Sequence, residues 1–219
     1  MKKMDVRKLT TIGMLCAVSY VMVLIGRFIP NVAGFLSYDP KDAIVVFSGF
    51  VFGPFAALIL SVVVSFIEMF TISTTGIYGC LMNIFSTCSF ALPAALIYKR
   101  MRTVKGAVLG LGVGVVCMTG CMVLWNYMIT PLYMKVDRSV VVGMLLPVFL
   151  PFNFVKGGLN AGLTMLLYKP LTTALRSVRL LPKGDGGAKK GSVQLGITLA
   201  ALFVVATFTV LFLIFADII

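Results

Sequence analysis

Long apolar segments separated by short polar connections dominate the chain. Six such segments are visible in the sequence, over residues 9–28, 43–72, 78–98, 106–129, 145–168 and 193–216. A helix needs about 20 predominantly apolar residues to cross the hydrocarbon core of a bilayer. The pattern therefore predicts an all-α integral membrane protein with several transmembrane helices.

The segment 43–72 is long enough to contain two helices. Its 30 residues include Gly53-Pro54 in the interior. Proline cannot donate to the helical hydrogen-bond ladder, and it disfavours helical geometry in the residue before it. We therefore predict a short helix at 43–53 and a second helix at 55–72. The first is too short to span alone, so neighbouring helices must cover its ends.

The distribution of basic residues supports this division. Most of the cationic side chains form three clusters beside apolar segments: Lys2, Lys3, Arg7 and Lys8; Lys99, Arg100, Arg102 and Lys105; and Lys169, Arg176, Arg179, Lys183, Lys189 and Lys190. The positive-inside rule places all three on the cytoplasmic side of the cell membrane, so an even number of crossings must separate neighbouring clusters. The number of crossings between the first and second clusters is even only if 43–72 forms two helices.

A core of six helices with a cytoplasmic N-terminus results. The predicted helices cover 9–28, 43–53, 55–72, 78–98, 106–129 and 147–168. The cationic residues left on the outer side are Arg27, Lys41, Lys135 and Arg138, and Lys156 remains within the membrane. The N-terminal segment resembles a signal peptide, but its apolar run continues to Ile25 without a small-residue cleavage site, so we interpret it as a retained helix.

The chain continues beyond this core. Residues 1–181 are predicted to form the core, and residues 182–192 a flexible linker rich in glycine and lysine. Residues 193–219 contain an additional transmembrane helix at 193–216, which is predicted to be a plain lipid-facing span.

Composition and charge agree with a membrane protein. Hydrophobic residues make up 60% of the chain and charged residues 12%, whereas about a quarter of the residues of a soluble domain are charged. The net charge of +12 could suggest nucleic-acid binding, but the basic residues flank apolar segments, as lipid headgroups favour. Cys117 and Cys121 share a helical face and could form a disulfide or a metal site. With no histidine and no CxxC pair, we favour packing between helices and predict no metal.

Polar residues inside the apolar segments indicate a binding site. Glu68, Asn83, Asn126, Asn153 and Lys156 come from four predicted helices and fall at similar depth in the outer half of the membrane. Such groups are expensive in hydrocarbon and indicate function by default. Aromatic residues surround this region: Trp125, Tyr127, Tyr133, Phe149, Phe152 and Phe154. We predict a pocket for a planar, polar-edged small molecule.

The segment before the second helix contributes further candidates. Tyr38 and Asp39 belong to the outer loop and could close over the pocket, and Asp42 could cap the second helix. On the sixth helix, Asn153, Lys156 and Asn160 share one face. Alternative interpretations are that the asparagines only tie helices together, that Lys156 pairs with Glu68, and that the aromatics form an interface belt.

Small residues mark two surfaces where helices can approach closely. Gly13 and Ala17 on the first helix could serve internal packing or a partner subunit. For Gly106, Gly110 and Gly114 on the fifth helix, we favour internal packing. No P-loop motif and no recognisable catalytic constellation occur in the sequence, so the chain is predicted to bind a ligand and not to act as an enzyme.

Several short motifs resemble those of the substrate-binding S-components of energy-coupling-factor (ECF) vitamin transporters, and within them the riboflavin-specific branch. They occur in the family's order over about residues 9–170, with the additional segment 183–219 as a departure. The motifs are Leu9-Thr-Thr-Ile-Gly-Met-Leu-Cys-Ala17, Tyr38-Asp-Pro-Lys-Asp42, Gly49-Phe-Val-Phe-Gly-Pro54, Ser73-Thr-Thr-Gly76, Asn126-Tyr127, Pro131-Leu-Tyr133 and Pro151-Phe-Asn-Phe-Val-Lys-Gly157.

This resemblance implies a six-helix core that captures riboflavin from outside, as a transported ligand and not as a cofactor. It also implies a membrane coupling subunit and two ATPase subunits as partners, with Gly13 and Ala17 facing the coupling subunit. Asn126, Asn153 and Lys156 would bind the pyrimidine edge of the flavin. Another vitamin, a flavin analogue, a lipid-modifying enzyme and a scaffolding protein are the alternatives.

Overall fold

A computed structural model describes residues 6–180, 191–216 and 218. Most of the predicted linker 182–192 lies outside these residues, as do the basic residues Lys2, Lys3, Lys183, Lys189 and Lys190. The helices are α1 (Val6–Gly26), α2 (Lys41–Phe52), α3 (Pro54–Thr71), α4 (Gly76–Met101), α5 (Val104–Met134), α6 (Arg138–Met144), α7 (Leu150–Ser177) and α8 (Gly191–Phe215).

Six helical segments in the described part of the chain are long and apolar enough to cross a membrane. They are α1, α3, α4, α5, the continuous helix Arg138–Ser177 that contains α6 and α7, and α8. The remaining helix, α2, has only 12 residues. The predicted architecture is confirmed: α1 to α7 form a core of six membrane helices, one of them short, and α8 is an additional helix.

The break between α2 and α3 occurs where the sequence predicts it. Gly53 separates the two helices with a φ of 93°, a conformation that glycine adopts without steric cost. Pro54 follows in the first turn of α3, where its missing N–H leaves no helical hydrogen bond unmade. A single glycine and proline therefore convert one apolar segment into two helices.

Neighbouring helices bury the short helix α2. All residues from Lys41 to Phe50 are buried, and α1, α3, α4 and α7 pack around them. An isolated helix of this length would leave its terminal backbone groups in hydrocarbon, which is unfavourable. Lys41 is the first residue of this central helix, so its side chain is buried within the bundle, and its assignment to the outer side stays a prediction.

The sixth helix of the core begins earlier than predicted. It was expected to cover 147–168, but a continuous helical segment runs from Arg138 to Ser177. Its π-helical part, Leu145–Phe149, contains Pro147. Proline removes one donor from the ladder, and a π-helical turn shifts the ladder at the same place. Pro147 therefore lies at an irregularity inside the helix.

Glycines bring α4 and α5 into backbone contact. A Cβ atom added to Gly110 would lie 2.8 Å from the carbonyl oxygen of Ala94, and one added to Gly114 would lie 2.5 Å from that of Phe90. The structure thus uses these two glycines for internal packing, as expected. By contrast, nothing lies within 4 Å of a Cβ added to Gly13, which is exposed together with Ala17 on α1.

Replacing Gly114 with alanine is expected to lower the free energy of unfolding by about 1–3 kcal/mol, because the added methyl group forces the backbones of α4 and α5 apart. Gly112→Ala on the same helix is the matched control, since its Cβ would meet open space. That variant is expected to be up to about 1 kcal/mol more stable through higher helix propensity. Chemical unfolding in detergent measures both, and equal stabilities would contradict the packing argument.

One face of α8 packs against α7. A Cβ atom on Gly158 would lie 2.4 Å from the ring of Phe208, and one on Gly162 would lie 2.6 Å from Val205. Ala201 and Phe212 on α8 are buried as well. The prediction of a plain lipid-facing span is therefore wrong for this face, although most of the helix surface remains exposed.

Candidate functional site

A cavity of about 550 Å³ lies at one end of the helical core. The loop between α1 and α2 forms much of its wall, together with the end of α3, the start of α4, the end of α5 and the start of α7. Clefts of 300–1,000 Å³ are typical for small-molecule ligands. The cavity is thus large enough for a compact heterocyclic molecule.

All seven residues that the sequence predicts as ligand-binding line this cavity. They are Tyr38, Asp39, Glu68, Asn83, Asn126, Asn153 and Lys156. Four helices and one loop contribute them, so their convergence is a product of the fold and not of proximity in sequence. Their contact with a ligand remains a prediction.

An ion pair joins the loop to α7. The Nζ atom of Lys156 lies 2.8 Å from Oδ2 of Asp39, and both side chains are largely buried. Asn160 donates a hydrogen bond from Nδ2 to the carbonyl oxygen of Asp39 at 3.1 Å. The hydroxyl of Tyr38 donates to Oδ1 of Asn160 at 3.3 Å. One face of α7 therefore holds the segment Tyr38–Asp39 as a wall of the cavity.

These contacts determine the charge of Asp39. Burial alone would raise the pKa of its carboxyl group, but the positive charges of Lys156, Lys41 and Arg27 and the hydrogen bond from Lys156 outweigh it. The net result is a pKa below the ordinary value for aspartate. Asp39 is therefore a carboxylate at neutral pH and can serve as the counter-ion of Lys156.

A second ion pair is buried beside the first. Nζ of Lys41 lies 2.6 Å from Oε2 of Glu68, and Asn83 donates to the same oxygen at 3.0 Å. The alternative in which Lys156 pairs with Glu68 is therefore wrong. Each lysine has a different acid as its partner, because α2 places Lys41 next to α3 while the preceding loop places Asp39 next to α7.

Asp42 does not cap α2. Pro40 occupies the N-cap position, and Asp42 lies inside the first turn. Its Oδ1 atom accepts a hydrogen bond of 2.6 Å from the hydroxyl of Thr87 on α4. The local sequence favoured a cap, but burial of the whole helix start gives this carboxyl group a partner on another helix.

The side-chain amides of Asn126 and Asn153 donate hydrogen bonds to their own helices and can still form further hydrogen bonds. Nδ2 of Asn126 donates to the carbonyl oxygen of Met122, and Nδ2 of Asn153 donates to that of Phe149, both at 2.7 Å. The Oδ1 atom of Asn126 accepts from the hydroxyl of Thr130 at 2.8 Å. An amide nitrogen carries two protons, so each asparagine keeps at least one N–H for a guest in the cavity.

The aromatic residues separate into two groups. Tyr133 and Phe152 line the cavity. The others pack elsewhere: Trp125 against Phe85, Phe149 against Phe35, Phe154 against Phe208, and Tyr127 under the guanidinium of Arg138. Only two of the six aromatic residues expected around the site therefore line the cavity itself, because the direction of a side chain on its helix depends on the neighbouring helices.

Sequence reasoning did not select the loop Ser73–Thr75 as part of the site. Its three residues line the cavity between α3 and α4, and Arg27 donates to the neighbouring carbonyl oxygen of Ile72 at 2.9 Å. A usable signal was present in the sequence. Three hydroxyl-bearing residues connect two helices whose facing ends carry Glu68 and Asn83.

The family described as the substrate-specific component of ECF transporters matches residues 7–168. The chain belongs to this family. The resemblance noted in the sequence is confirmed, and the protein is a multi-pass membrane protein of a transporter family.

Individual relatives agree with the family assignment. The riboflavin transporter RibU of Staphylococcus aureus is 30% identical over 178 residues, covering 78% of this chain and 94% of the relative. The riboflavin transporter FmnP of Bacillus subtilis is 27% identical over 168 residues, covering 70% and 86%. A solved structure of the S component of a bacterial ECF transporter superposes with a TM-score of 0.66 at 30% identity, covering 77% of this chain and 97% of that one.

The match locates the site within this ECF substrate-specific component. The cavity and all seven predicted binding residues fall inside the family region 7–168, whereas α8 begins at Gly191 and lies outside it. The site therefore belongs to the part shared with the family, and α8 is a feature that the family region does not include.

Proposed function

We propose that this chain is the riboflavin-binding S-component of an ECF-type importer. The strongest support is the gathering of seven polar residues around one cavity, in a chain that is 30% identical to a riboflavin transporter over most of its length. Residues 1–181 act as the binding core, and residues 193–219 form an additional membrane helix. The chain binds and carries its ligand and catalyses no reaction.

The chemistry of the cavity suits a flavin. The pyrimidine edge of riboflavin alternates carbonyl oxygens with ring nitrogens, so it requires both donors and acceptors. Asn126 and Asn153 offer both, and Lys156 offers donors only. Met82, Met122 and Phe152 also line the cavity and supply polarizable and aromatic surface for the flat ring system.

The opposite wall suits the sugar-like side chain of riboflavin. Ser73, Thr74 and Thr75 present hydroxyl groups, and Asn83 and Glu68 present an amide and a carboxyl group. Hydroxyl groups of a ligand can donate to and accept from such residues. The ring system would then lie near α5 and α7, and the side chain near the α3–α4 loop.

The cavity is proposed to open outside the cell, with the N-terminus in the cytoplasm. The described basic clusters lie at the start of α1, at the α4–α5 connection and at the end of α7. The cavity is lined by the opposite ends of these same helices. The positive-inside rule assigns the basic end to the cytoplasm.

Transport requires partners that supply energy. The sequence contains no P-loop motif for ATP hydrolysis. We propose a membrane coupling subunit and two ATPase subunits, with Gly13 and Ala17 facing the coupling subunit. Both residues are exposed on α1, and a surface of small side chains lets another helix approach closely.

Asn153→Ala and Asn126→Ala are each expected to weaken riboflavin binding about 10- to 100-fold. Each change leaves a polar group of the bound ligand unpaired, at a cost of about 1–3 kcal/mol. Purified protein in detergent is titrated with riboflavin, and quenching of the flavin fluorescence gives the affinity. Thr119→Val on α5 is the control, since Thr119 bonds within its own helix, to Val115, and does not line the cavity.

The wild-type titration decides the identity of the ligand. Tight binding of riboflavin in a 1:1 ratio supports the proposal, and an absence of binding refutes it. Competition with flavin mononucleotide, thiamin and biotin tests the alternative that another vitamin or a flavin analogue is the substrate. If either asparagine variant bound riboflavin as tightly as Thr119→Val does, that asparagine would not contact the ligand.

A further inference from the structure

A second apolar cluster connects α8 to the wall of the cavity. Its buried members come from the α1–α2 loop, from the continuous helix Arg138–Ser177 and from α8. They are Val32, Leu36, Tyr38, Val141, Phe149, Phe152, Val155, Leu159 and Phe212. Residues of the cavity wall and a residue of α8 therefore share one packed unit.

The contact between α7 and α8 fixes which residues of α8 reach this cluster. Gly158 and Gly162 lie one turn apart on α7, and each lacks the Cβ atom that would collide with α8. Phe208 of α8 consequently covers Gly158. Phe212 lies one turn further along α8, beside Tyr38, with ring centroids 5.9 Å apart.

A short chain of contacts leads from Phe212 to the cavity. Phe212 itself does not line the cavity, but its partner Tyr38 does. The hydroxyl of Tyr38 bonds to Asn160, Asn160 bonds to the backbone of Asp39, and Asp39 pairs with Lys156. Movement of the Tyr38 ring would therefore disturb both the loop and the ion pair.

We propose that α8 supports the substrate cavity, with Phe212 as a positioning residue that holds Tyr38 and, through Asn160, the loop residue Asp39. The choice of riboflavin as the probe rests on the function proposed above. The support itself rests on the packing of three segments that are distant in sequence. It comes from a helix that lies outside the matched family region 7–168.

Phe212→Ala tests this role, with Phe203→Ala as the matched control. Both remove a phenylalanine from α8, but Phe203 is 74% exposed and Phe212 only 4%. Riboflavin is expected to dissociate about 3- to 10-fold faster from Phe212→Ala, the range that corresponds to loss of one aromatic pair. Riboflavin is expected to dissociate from Phe203→Ala at the wild-type rate. Phe212→Leu keeps an apolar side chain, so its dissociation rate is expected to lie between those of Phe203→Ala and Phe212→Ala.

Hydrogen exchange without ligand provides an independent measurement. The backbone N–H groups of Val32 and Leu36 bond to each other's carbonyl oxygens at 2.9 and 3.0 Å within the loop. Exchange in a peptide covering 29–40 is expected to accelerate about 3- to 10-fold in Phe212→Ala relative to Phe203→Ala. A helix that merely packs on α7 would leave exchange in this loop unchanged.

The outcomes separate this proposal from the proposed function. Failure of the wild type to bind riboflavin, with accelerated loop exchange in Phe212→Ala, would refute the ligand and support the role of α8. Equal dissociation rates and equal loop exchange in Phe212→Ala and Phe203→Ala would overturn the role of α8. If Phe212→Ala did not fold, Phe212→Leu would replace it, and wild-type rates in that folded variant would overturn the proposal too.

Discussion

Lys156→Met is expected to lower the free energy of unfolding by about 3–5 kcal/mol. The substitution leaves the buried carboxylate of Asp39 without the ammonium group that lies 2.8 Å from it. Breaking a buried ion pair at one partner is expensive because the remaining charge loses its counter-charge and does not regain water. Denaturant titration in detergent measures the change through the fluorescence of Trp125, the single tryptophan of the chain.

The double variant Asp39→Asn, Lys156→Met separates the charge from the packing. It removes both charges and nearly preserves both side-chain shapes, so most of the lost stability is expected to return. Equal stabilities of the single and double variants would contradict a pairing role for Lys156. Comparing the riboflavin affinity of the double variant with that of Asp39→Asn alone then reports whether the ammonium group of Lys156 also contacts the ligand.

Glu68→Leu is expected to cause a loss of similar size, about 3–5 kcal/mol. The carboxyl group of Glu68 accepts from both Lys41 and Asn83, so its removal leaves a charged donor and a neutral donor unpaired. Lys41 is only 1% exposed and cannot reach water without opening the core. The buried ammonium group therefore dominates the cost.

Removing Lys41 at the same time supplies the control for this pair. The variant Lys41→Met, Glu68→Leu is expected to recover most of the stability, since apolar residues of similar volume can replace a buried ion pair. The exposed residue Lys105 provides a second comparison, because Lys105→Met is expected to change stability by no more than about 0.5 kcal/mol. A Glu68→Leu variant as stable as Lys105→Met would show that the pair does not stabilise the fold.

Sequence patterns predicted the helices well where a local physical rule applies. Gly53-Pro54 ends one helix and starts the next because glycine permits the required dihedral angles and proline lacks a donor. The start of the sixth helix, in contrast, was predicted incorrectly at residue 147. Pro147 lies within the continuous helix, since its surroundings accommodate a π-helical turn that local propensity does not specify.

The sequence predicted which polar residues line the candidate site, but not which of them pair with each other. Glu68, Asn83, Asn126, Asn153 and Lys156 line one cavity because their depth along the helices follows from sequence position. Their partners do not follow from it. The alternative pairing of Lys156 with Glu68 was wrong, as was the cap by Asp42, because both depend on where α2 lies within the bundle.

The sequence by itself determined that this chain lies in a membrane, how many helices its core has and which polar residues share a depth. The length of an apolar segment, the effect of a proline and the position of flanking basic residues can each be read from a short stretch of sequence. The fixed thickness of the bilayer and its cytoplasmic side then determine where each helix begins and ends. Only the tertiary structure decided which lysine pairs with which acid and that α8 contacts Tyr38. Those choices depend on the rotation and close approach of helices that are distant in the chain, and small residues such as Gly158 permit that approach without specifying the partner.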